Sequence, residues 1–119
     1  MAFRAQAAER FLKIVADQNR LRIIKAIGAN ESSVSEILNR TELPQTLASF
    51  HLRVLREAGL VTHERRGAFL YYRLSDISLL NFLDACAKYA ELLRQPEADA
   101  EFAWPPWKTM CCVPRRRRR

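Results

Sequence analysis

Three cysteines carry the most distinctive chemistry in the chain, Cys86 and the adjacent pair Cys111-Cys112. Thiolates are ligands for soft ions, and trivalent arsenic or antimony bonds to two or three sulfur atoms. Neighbouring residues of a helix point about 100° apart, so joint ligation by the pair requires an irregular backbone, which the prolines at positions 105, 106 and 114 favour. An odd number of cysteines also favours reduced thiols, a metal site or redox chemistry over a structural disulfide framework.

Each thiol has a second interpretation. Cys86 follows an apolar helical pattern, so its alternative role is that of a small buried apolar residue. Two adjacent thiols are reactive when exposed, and the pair therefore favours ligation or redox sensing. No Cys-x-x-Cys motif occurs, which disfavours a small thiol oxidoreductase, and we expect a chain that is not an enzyme.

A second set of chemical groups lies on a segment that begins at Pro44. Leu47, Leu52 and Leu55 give this segment an apolar side at helical spacing. Its other positions carry amide, hydroxyl, imidazole and guanidinium groups, and two more guanidiniums follow at a hairpin tip. These polar residues are Gln45, Thr46, Ser49, His51, Arg53, Arg65 and Arg66. An ordinary amphipathic helix with solvated charges is the alternative interpretation.

The elements that position these groups follow from helical periodicity, caps and glycine stops. Ser33 and Glu36 form a capping box, Gly28 and Gly59 suit helix ends, and Pro44 suits a first helical position. Two strand-like runs flank an Arg66-Gly67 turn, and Asp76 can cap a last helix. The predicted helices are residues 3–16, 19–27, 33–40, 44–58 and 76–95, and the predicted strands are residues 60–65 and 68–74. This order, α-α-α-α-β-β-α, is mainly α with a small β-hairpin and predicts a winged helix-turn-helix.

Length and composition predict one folded domain, residues 1–95, followed by an irregular tail, residues 96–119. The net charge is +7, but the arginines at 115–119 supply five positive charges, so the other residues carry 15 − 13 = +2. Bulk charge is therefore weak evidence for nucleic acid, and a run of like charge is typically a solvated tail. No apolar run reaches the roughly 18 residues of a membrane helix and no signal peptide is evident, so we expect a cytoplasmic protein with no membrane partner.

The amino-acid sequences of three segments resemble those of the ArsR/SmtB family of bacterial metal- and metalloid-responsive repressors. Residues 17–24, DQNRLRII, are similar to its D-P-T-R-L-R-I-L motif. Residues 49–61, SFHLRVLREAGLV, resemble its S-H-H-L-R-V-L-R-E-A-G-L-V recognition helix, and residues 71–74, YYRL, resemble its second wing strand. The resemblance covers about residues 8–93 and leaves the tail outside.

The resemblance implies a homodimer joined through its first and last helices, with two recognition helices on a near-palindromic double-stranded operator. It places Gln45, Thr46, Ser49 and His51 at base-facing positions, although His51 has the alternative role of packing the turn. Phosphate contacts are expected from Arg53, Arg65 and Arg66, which position the protein without specifying sequence.

Two familiar effector sites of the family are missing from the sequence. Ser33-Val34-Ser35 replaces a Cys-Val-Cys motif, and hydroxyls do not replace thiolates for soft ions. The zinc-type site on the last helix is also absent, because Ser78, Tyr89 and Leu92 stand where its later ligands are expected.

These departures leave Cys86, Cys111 and Cys112 as candidate ligands, with no permanently bound cofactor. The leading hypothesis is a repressor released from its operator by a thiophilic effector, an As(III) or Sb(III) species. A redox or persulfide switch, through a disulfide between Cys86 and one of the pair, is the alternative. A repressor without a small-molecule effector is a third hypothesis.

Overall fold

The computed structural model describes residues 2–93, which form five helices and a three-stranded antiparallel sheet. The elements in chain order are α1 (Ala5–Val15), α2 (Gln18–Ile27), β1 (Ser32–Ser33), α3 (Val34–Thr41), α4 (Gln45–Glu57), β2 (Val61–Arg66), β3 (Phe69–Leu74) and α5 (Ser78–Ala90). This is a winged helix-turn-helix, in which α3 and α4 form the helix-turn-helix and the β2–β3 hairpin forms the wing. The predicted fold class is therefore confirmed.

Local capping explains where α2 and α3 begin and end. The Asp17 carboxylate accepts hydrogen bonds from the backbone N–H groups of Asn19 and Arg20, at 2.9 and 3.2 Å, and so caps α2. Gly28 ends α2 with φ 72°, a conformation that glycine adopts without strain. The predicted capping box at the start of α3 is confirmed, since Ser33 Oγ accepts from the Glu36 N–H and Glu36 Oε1 accepts from the Ser33 N–H.

The start of α4 lies one residue later than predicted. Pro44 is the N-cap residue, with φ −59° and ψ 145°, and Gln45 is the first helical residue. The helix ends at Glu57, and Gly59 follows with φ 86°, as expected of a glycine stop. The backbone N–H of Leu60 then donates to the carbonyl of Leu55, which turns the chain directly into β2.

The wing contains one strand more than the sequence predicts. Strand β3 lies at the centre of the sheet, between β2 and the two-residue strand β1, and Ser33 pairs with Tyr71. In the hairpin Arg66 pairs with Phe69, so the tip is Gly67-Ala68 and the predicted Arg66-Gly67 turn is displaced by one residue. Two polar residues cannot show the alternating pattern of a half-buried strand, and β1 was therefore not predicted.

The core lies where α2, α3 and α4 meet the inner side of the wing. Its buried side chains are Val15, Ile23, Ile24, Ile27, Ile37, Leu52, Leu55, Val61, Tyr72 and Leu74. Helix α5 begins where Asp76 accepts hydrogen bonds from the N–H and hydroxyl of Ser78, and it ends at Ala90 instead of near residue 95. Within residues 2–93, no helix has both the length and the apolar character of a membrane span.

Candidate nucleic-acid interface

One side of α4 is anchored in the core, and the other presents hydrogen-bonding groups to solvent. Ala48, Leu52 and Leu55 are buried, whereas Leu47, which was predicted on this apolar side, is 36% exposed. The predicted residues on the opposite side, Gln45, Thr46, Ser49 and Arg53, are all exposed. Helical spacing of three and four residues brings these four side chains together on one surface. A helix held from behind can present this surface to the major groove without rearranging.

A fifth residue belongs to the same surface and was not predicted. Phe50 is 48% exposed, and it lies four residues after Thr46 and three before Arg53. Its ring meets the ring of His51 edge-on, with centroids 5.2 Å apart. The spacing from Thr46 and Arg53 is visible in the sequence and would have placed Phe50 among the exposed residues.

His51 does not belong to the exposed surface, which corrects its assignment as a base-contacting residue. Its side chain is buried, with 5% of the residue exposed, and Nδ1 accepts a hydrogen bond from Arg20 Nε at 3.1 Å. The other ring nitrogen lies 4.0 Å from the carboxylate of Asp17. His51 therefore links α4 to the start of α2, which agrees with its alternative interpretation as a packing residue.

The wing holds Arg66 in an ion-pair network. Its guanidinium donates to both carboxylate oxygens of Glu31 and, at 2.9 Å, to Glu64, and it lies 5.0 Å from the Tyr71 ring centroid. The hydrogen bonds to Glu31 and Glu64 raise the pKa of Arg66, and the hydrogen bond from Arg66 lowers the pKa of Glu31. In this structure Arg66 therefore links the wing to the loop before β1, and its contact with a phosphate stays a prediction. Arg65, its neighbour, is exposed.

Two further guanidiniums lie beside the helix-turn-helix. Arg22 donates to the carbonyl of Thr41 at 3.1 Å, at the last residue of α3. Arg40 donates to the carbonyl of Ala26 at 2.7 Å and to Ser32 Oγ at 2.9 Å. Both line a recess of about 460 Å³ between α2 and α3. Neither was predicted as a site residue, because each position depends on a carbonyl more than ten residues away.

Comparison with known proteins agrees with this geometry. Residues 17–63, from the cap of α2 into β2, match the model of the bacterial regulatory proteins of the arsR family. The cadmium resistance transcriptional regulatory protein CadC of Listeria innocua is 32% identical over 82 residues, which cover 68% of this chain and 69% of CadC.

The chain belongs to the ArsR family.

Within the ArsR family, the chain is also similar to the HTH-type transcriptional repressor SmtB of Mycobacterium tuberculosis, with 37% identity over 86 residues. That match covers 71% of this chain but 64% of SmtB, so the chain spans less than two thirds of that relative. The structure of HlyU from Vibrio cholerae superposes with a TM-score of 0.64 and 31% identity, covering 75% of this chain and 97% of HlyU.

The positions where other ArsR-family proteins are expected to bind effectors have local structural roles here. Ser33 Oγ is occupied as the α3 cap, and Asp76 is bonded to Ser78 at the start of α5. Cys86 is a free, half-buried thiol on α5. In the part of the chain that the structure describes, no three His, Cys, Asp or Glu side chains cluster closely enough to hold a metal ion. Cys111 and Cys112 lie outside the described residues.

Proposed function

We propose that the chain is a transcriptional repressor that binds double-stranded operator DNA as a homodimer and is released by a thiophilic effector. The exposed surface of α4 is the observation that carries the DNA-binding part of this proposal. Gln45, Thr46 and Ser49 present amide and hydroxyl groups that match base edges, and Arg53 presents a cation for a phosphate. Membership of the ArsR family supports the same assignment.

The apolar surfaces of the outer helices support a dimer. Leu12 of α1 is 47% exposed, and no side chain within Ser78–Ala90 of α5 is fully buried. Association of these two helices with those of a second copy would bury apolar surface that one copy leaves in water. It would also fix the distance between two α4 helices, as an operator with two half-sites about one turn of DNA apart requires.

Trivalent arsenic or antimony is the effector that we propose. The chain offers thiols at Cys86, Cys111 and Cys112 and hydroxyls at Ser33 and Ser35, and soft ions prefer sulfur. A relative named for cadmium resistance supports a thiophilic class of effector. Release requires only that the effector bind the DNA-incompetent arrangement more tightly, with a coupling free energy of about 1 to 3 kcal/mol.

DNA binding is tested with random-sequence duplexes enriched on the full-length protein and measured by fluorescence anisotropy. We expect the double variant Gln45→Ala, Thr46→Ala to lose sequence discrimination, because base contacts are removed while phosphate contacts remain. Gln18→Ala, an exposed residue at the start of α2, is the matched control and should bind as the parent does. Failure of the parent to enrich any duplex would overturn the proposal.

The effector is tested by adding arsenite, antimonyl tartrate or Cd²⁺ to the protein–operator complex under a thiol-free reductant. We expect release by the trivalent metalloids and a retained, unresponsive complex for Cys111→Ser, Cys112→Ser. A normal response of that double variant would place the effector elsewhere. Cys86→Ser then shows whether the α5 thiol is a third ligand.

A thiol switch is the second candidate, since Cys86 is free and a disulfide requires only one partner thiol. Intact-mass measurement after mild peroxide or polysulfide treatment, alongside operator release, separates this switch from metalloid binding. Release with a mass change and no response to metalloids would establish the switch. A complex that ignores every thiophile and oxidant would instead identify a repressor without such an effector.

A further inference from the structure

The exposed surface of α4 carries an aromatic side chain, Phe50, beside its polar groups. Residues of a helix are spaced by about 100°, so Phe50 lies about 40° around α4 from Thr46 and about 60° from Arg53. Ala48, Leu52 and Leu55 are buried on the opposite side. Phe50 therefore lies beside the polar groups that the proposed function assigns to DNA, and Leu47, which is 36% exposed, lies about 60° away on its other side.

Folding does not account for this aromatic ring. Its edge-on contact with the buried ring of His51 leaves 48% of the residue in solvent. A single exposed apolar residue is ordinary on a protein surface, so exposure alone would carry no argument. The position of the ring next to Thr46 and Arg53, on a helix whose other side is fixed in the core, is what distinguishes it. The contact with His51 also restricts the directions in which the ring can point.

The major groove offers one apolar feature to such a ring. A phenyl group neither donates nor accepts conventional hydrogen bonds and cannot select among the polar edges of guanine, cytosine and adenine. Thymine presents a C5-methyl group in the major groove, and phenylalanine is among the side chains that contact it. The chemistry of Phe50 thus complements one base in particular, in contrast to the amide and hydroxyl groups beside it.

We propose that Phe50 is a specificity-determining residue that recognises the 5-methyl group of a thymine in each operator half-site. This inference rests on the proposed DNA-binding function and names one base contact within it. Gln45, Thr46 and Ser49 then supply the hydrogen-bonding contacts, and Phe50 supplies an apolar contact that favours thymine at one position.

Replacement of thymine by deoxyuracil tests the contact, because it removes the methyl group and keeps base pairing. Each thymine of the enriched operator is replaced in turn, and the affinity of the full-length protein is measured by anisotropy. Loss of one buried methyl group should weaken binding about fourfold at the position that Phe50 contacts. At other positions the substitution should have little effect.

Three variants assign the penalty to the ring. Phe50→Ala should bind the thymine and deoxyuracil duplexes equally, whereas Phe50→Leu should keep part of the preference because it keeps an apolar contact. Thr46→Ser removes the only methyl group of that side chain and keeps its hydroxyl, and it should retain the full deoxyuracil penalty. Thermal unfolding of each variant checks that the exposed substitution leaves the fold intact.

The outcomes separate this inference from the function beneath it. An operator that binds the parent equally well with every thymine replaced would overturn the role of Phe50 and leave DNA binding in place. A deoxyuracil penalty that persists unchanged in Phe50→Ala would do the same. Failure to enrich any duplex would overturn the proposed function itself.

Discussion

Arg20 donates a hydrogen bond from Nε to Nδ1 of His51 across 3.1 Å, joining the first turn of α2 to the middle of α4. The same guanidinium donates from Nη1 to the carbonyl of Ile14 at 3.0 Å. Because Nδ1 accepts this bond, a proton on the neutral ring belongs on Nε2, the nitrogen that lies 4.0 Å from Asp17. Three helices are thus connected through one arginine and one histidine, behind the surface that we assign to DNA.

His51→Ala should lower the free energy of unfolding by about 1 to 3 kcal/mol, because Arg20 Nε loses its acceptor and a buried ring is replaced by a smaller group. Urea denaturation measures this change. Arg53→Ala, an exposed substitution on the same helix, is the control and should stay within about 0.5 kcal/mol of the parent. A His51→Ala protein with parental stability and weakened operator binding would restore His51 as a base-contacting residue.

Asp17 should make stability depend on pH in the acidic range. Partial burial raises the pKa of this carboxyl, but hydrogen bonds from the backbone N–H groups of Arg20 and Asn19 and the positive charge of Arg20 outweigh it, so the net pKa lies below 3.8. A lowered pKa in the folded state contributes stability above the unfolded value, and this stability is lost as the pH falls through the folded value.

Asp17→Asn isolates that charge, because asparagine also caps a helix N-terminus. We expect the parent to unfold at a higher temperature than Asp17→Asn at neutral pH, and the difference to shrink once the pH falls below 3.8. Circular dichroism melts of both proteins across this range provide the measurement. A temperature difference that is constant with pH would show that the ionised carboxylate is not involved.

Arg65 and Arg66 should differ in their contribution to the salt dependence of DNA binding. Each phosphate contact contributes a slope of about 0.9 to the plot of log affinity against log salt concentration. Arg65→Ala should reduce the slope by about this amount, whereas Arg66→Ala should reduce it less, because Glu31 and Glu64 already neutralise that guanidinium.

Glu31→Gln supplies the complementary test, since it weakens the ion pair that engages Arg66. We expect this variant to bind operator with a steeper salt dependence than the parent. Equal slopes for Arg65→Ala and Arg66→Ala, with no effect of Glu31→Gln, would mean that the wing ion pairs open when DNA binds.

Gly28→Ala should destabilise the fold by about 1 to 3 kcal/mol through the backbone alone. The combination of φ 72° and ψ −161° belongs to a region that only glycine adopts readily, while the nearest atom to an added Cβ is 3.9 Å away, which leaves room for the methyl group. Thermal unfolding gives the measurement, with Gly67→Asn as the comparison. Asparagine tolerates the φ of 63° at that turn, so Gly67→Asn should cost less.

Local chemistry explains which parts of the fold were predictable. Helix α3 was confirmed because its capping box is formed by residues three positions apart, and the ends of α2 and α4 were set by Gly28 and Gly59. Strand β1 was missed because Ser32 and Ser33 become a strand only by pairing with Tyr72 and Tyr71, about forty positions away. Non-local pairing of two residues leaves no periodicity in the sequence.

The same distinction between local and non-local contacts applies to the predicted site residues. The exposed side of α4 follows from helical spacing. The same spacing places His51 four residues before the buried Leu55 and so indicates that His51 is buried too. The resemblance to the family pointed instead to a base contact for His51. The ion pair between Arg66 and Glu31 was not predicted because Glu31 lies 35 residues earlier in the chain. The assignments of Cys86, Cys111 and Cys112 remain predictions.

Ser33 is at once the last residue of β1, the partner of Tyr71 in the wing sheet and the N-cap of α3. No linker therefore separates the sheet from the helix-turn-helix, because the two elements share this residue. The distance between the wing tip and α4 is therefore set within each copy of the chain. In the proposed homodimer, the part of DNA that one copy spans would then be set within that copy, and a proposed effector would act on the distance between the two copies.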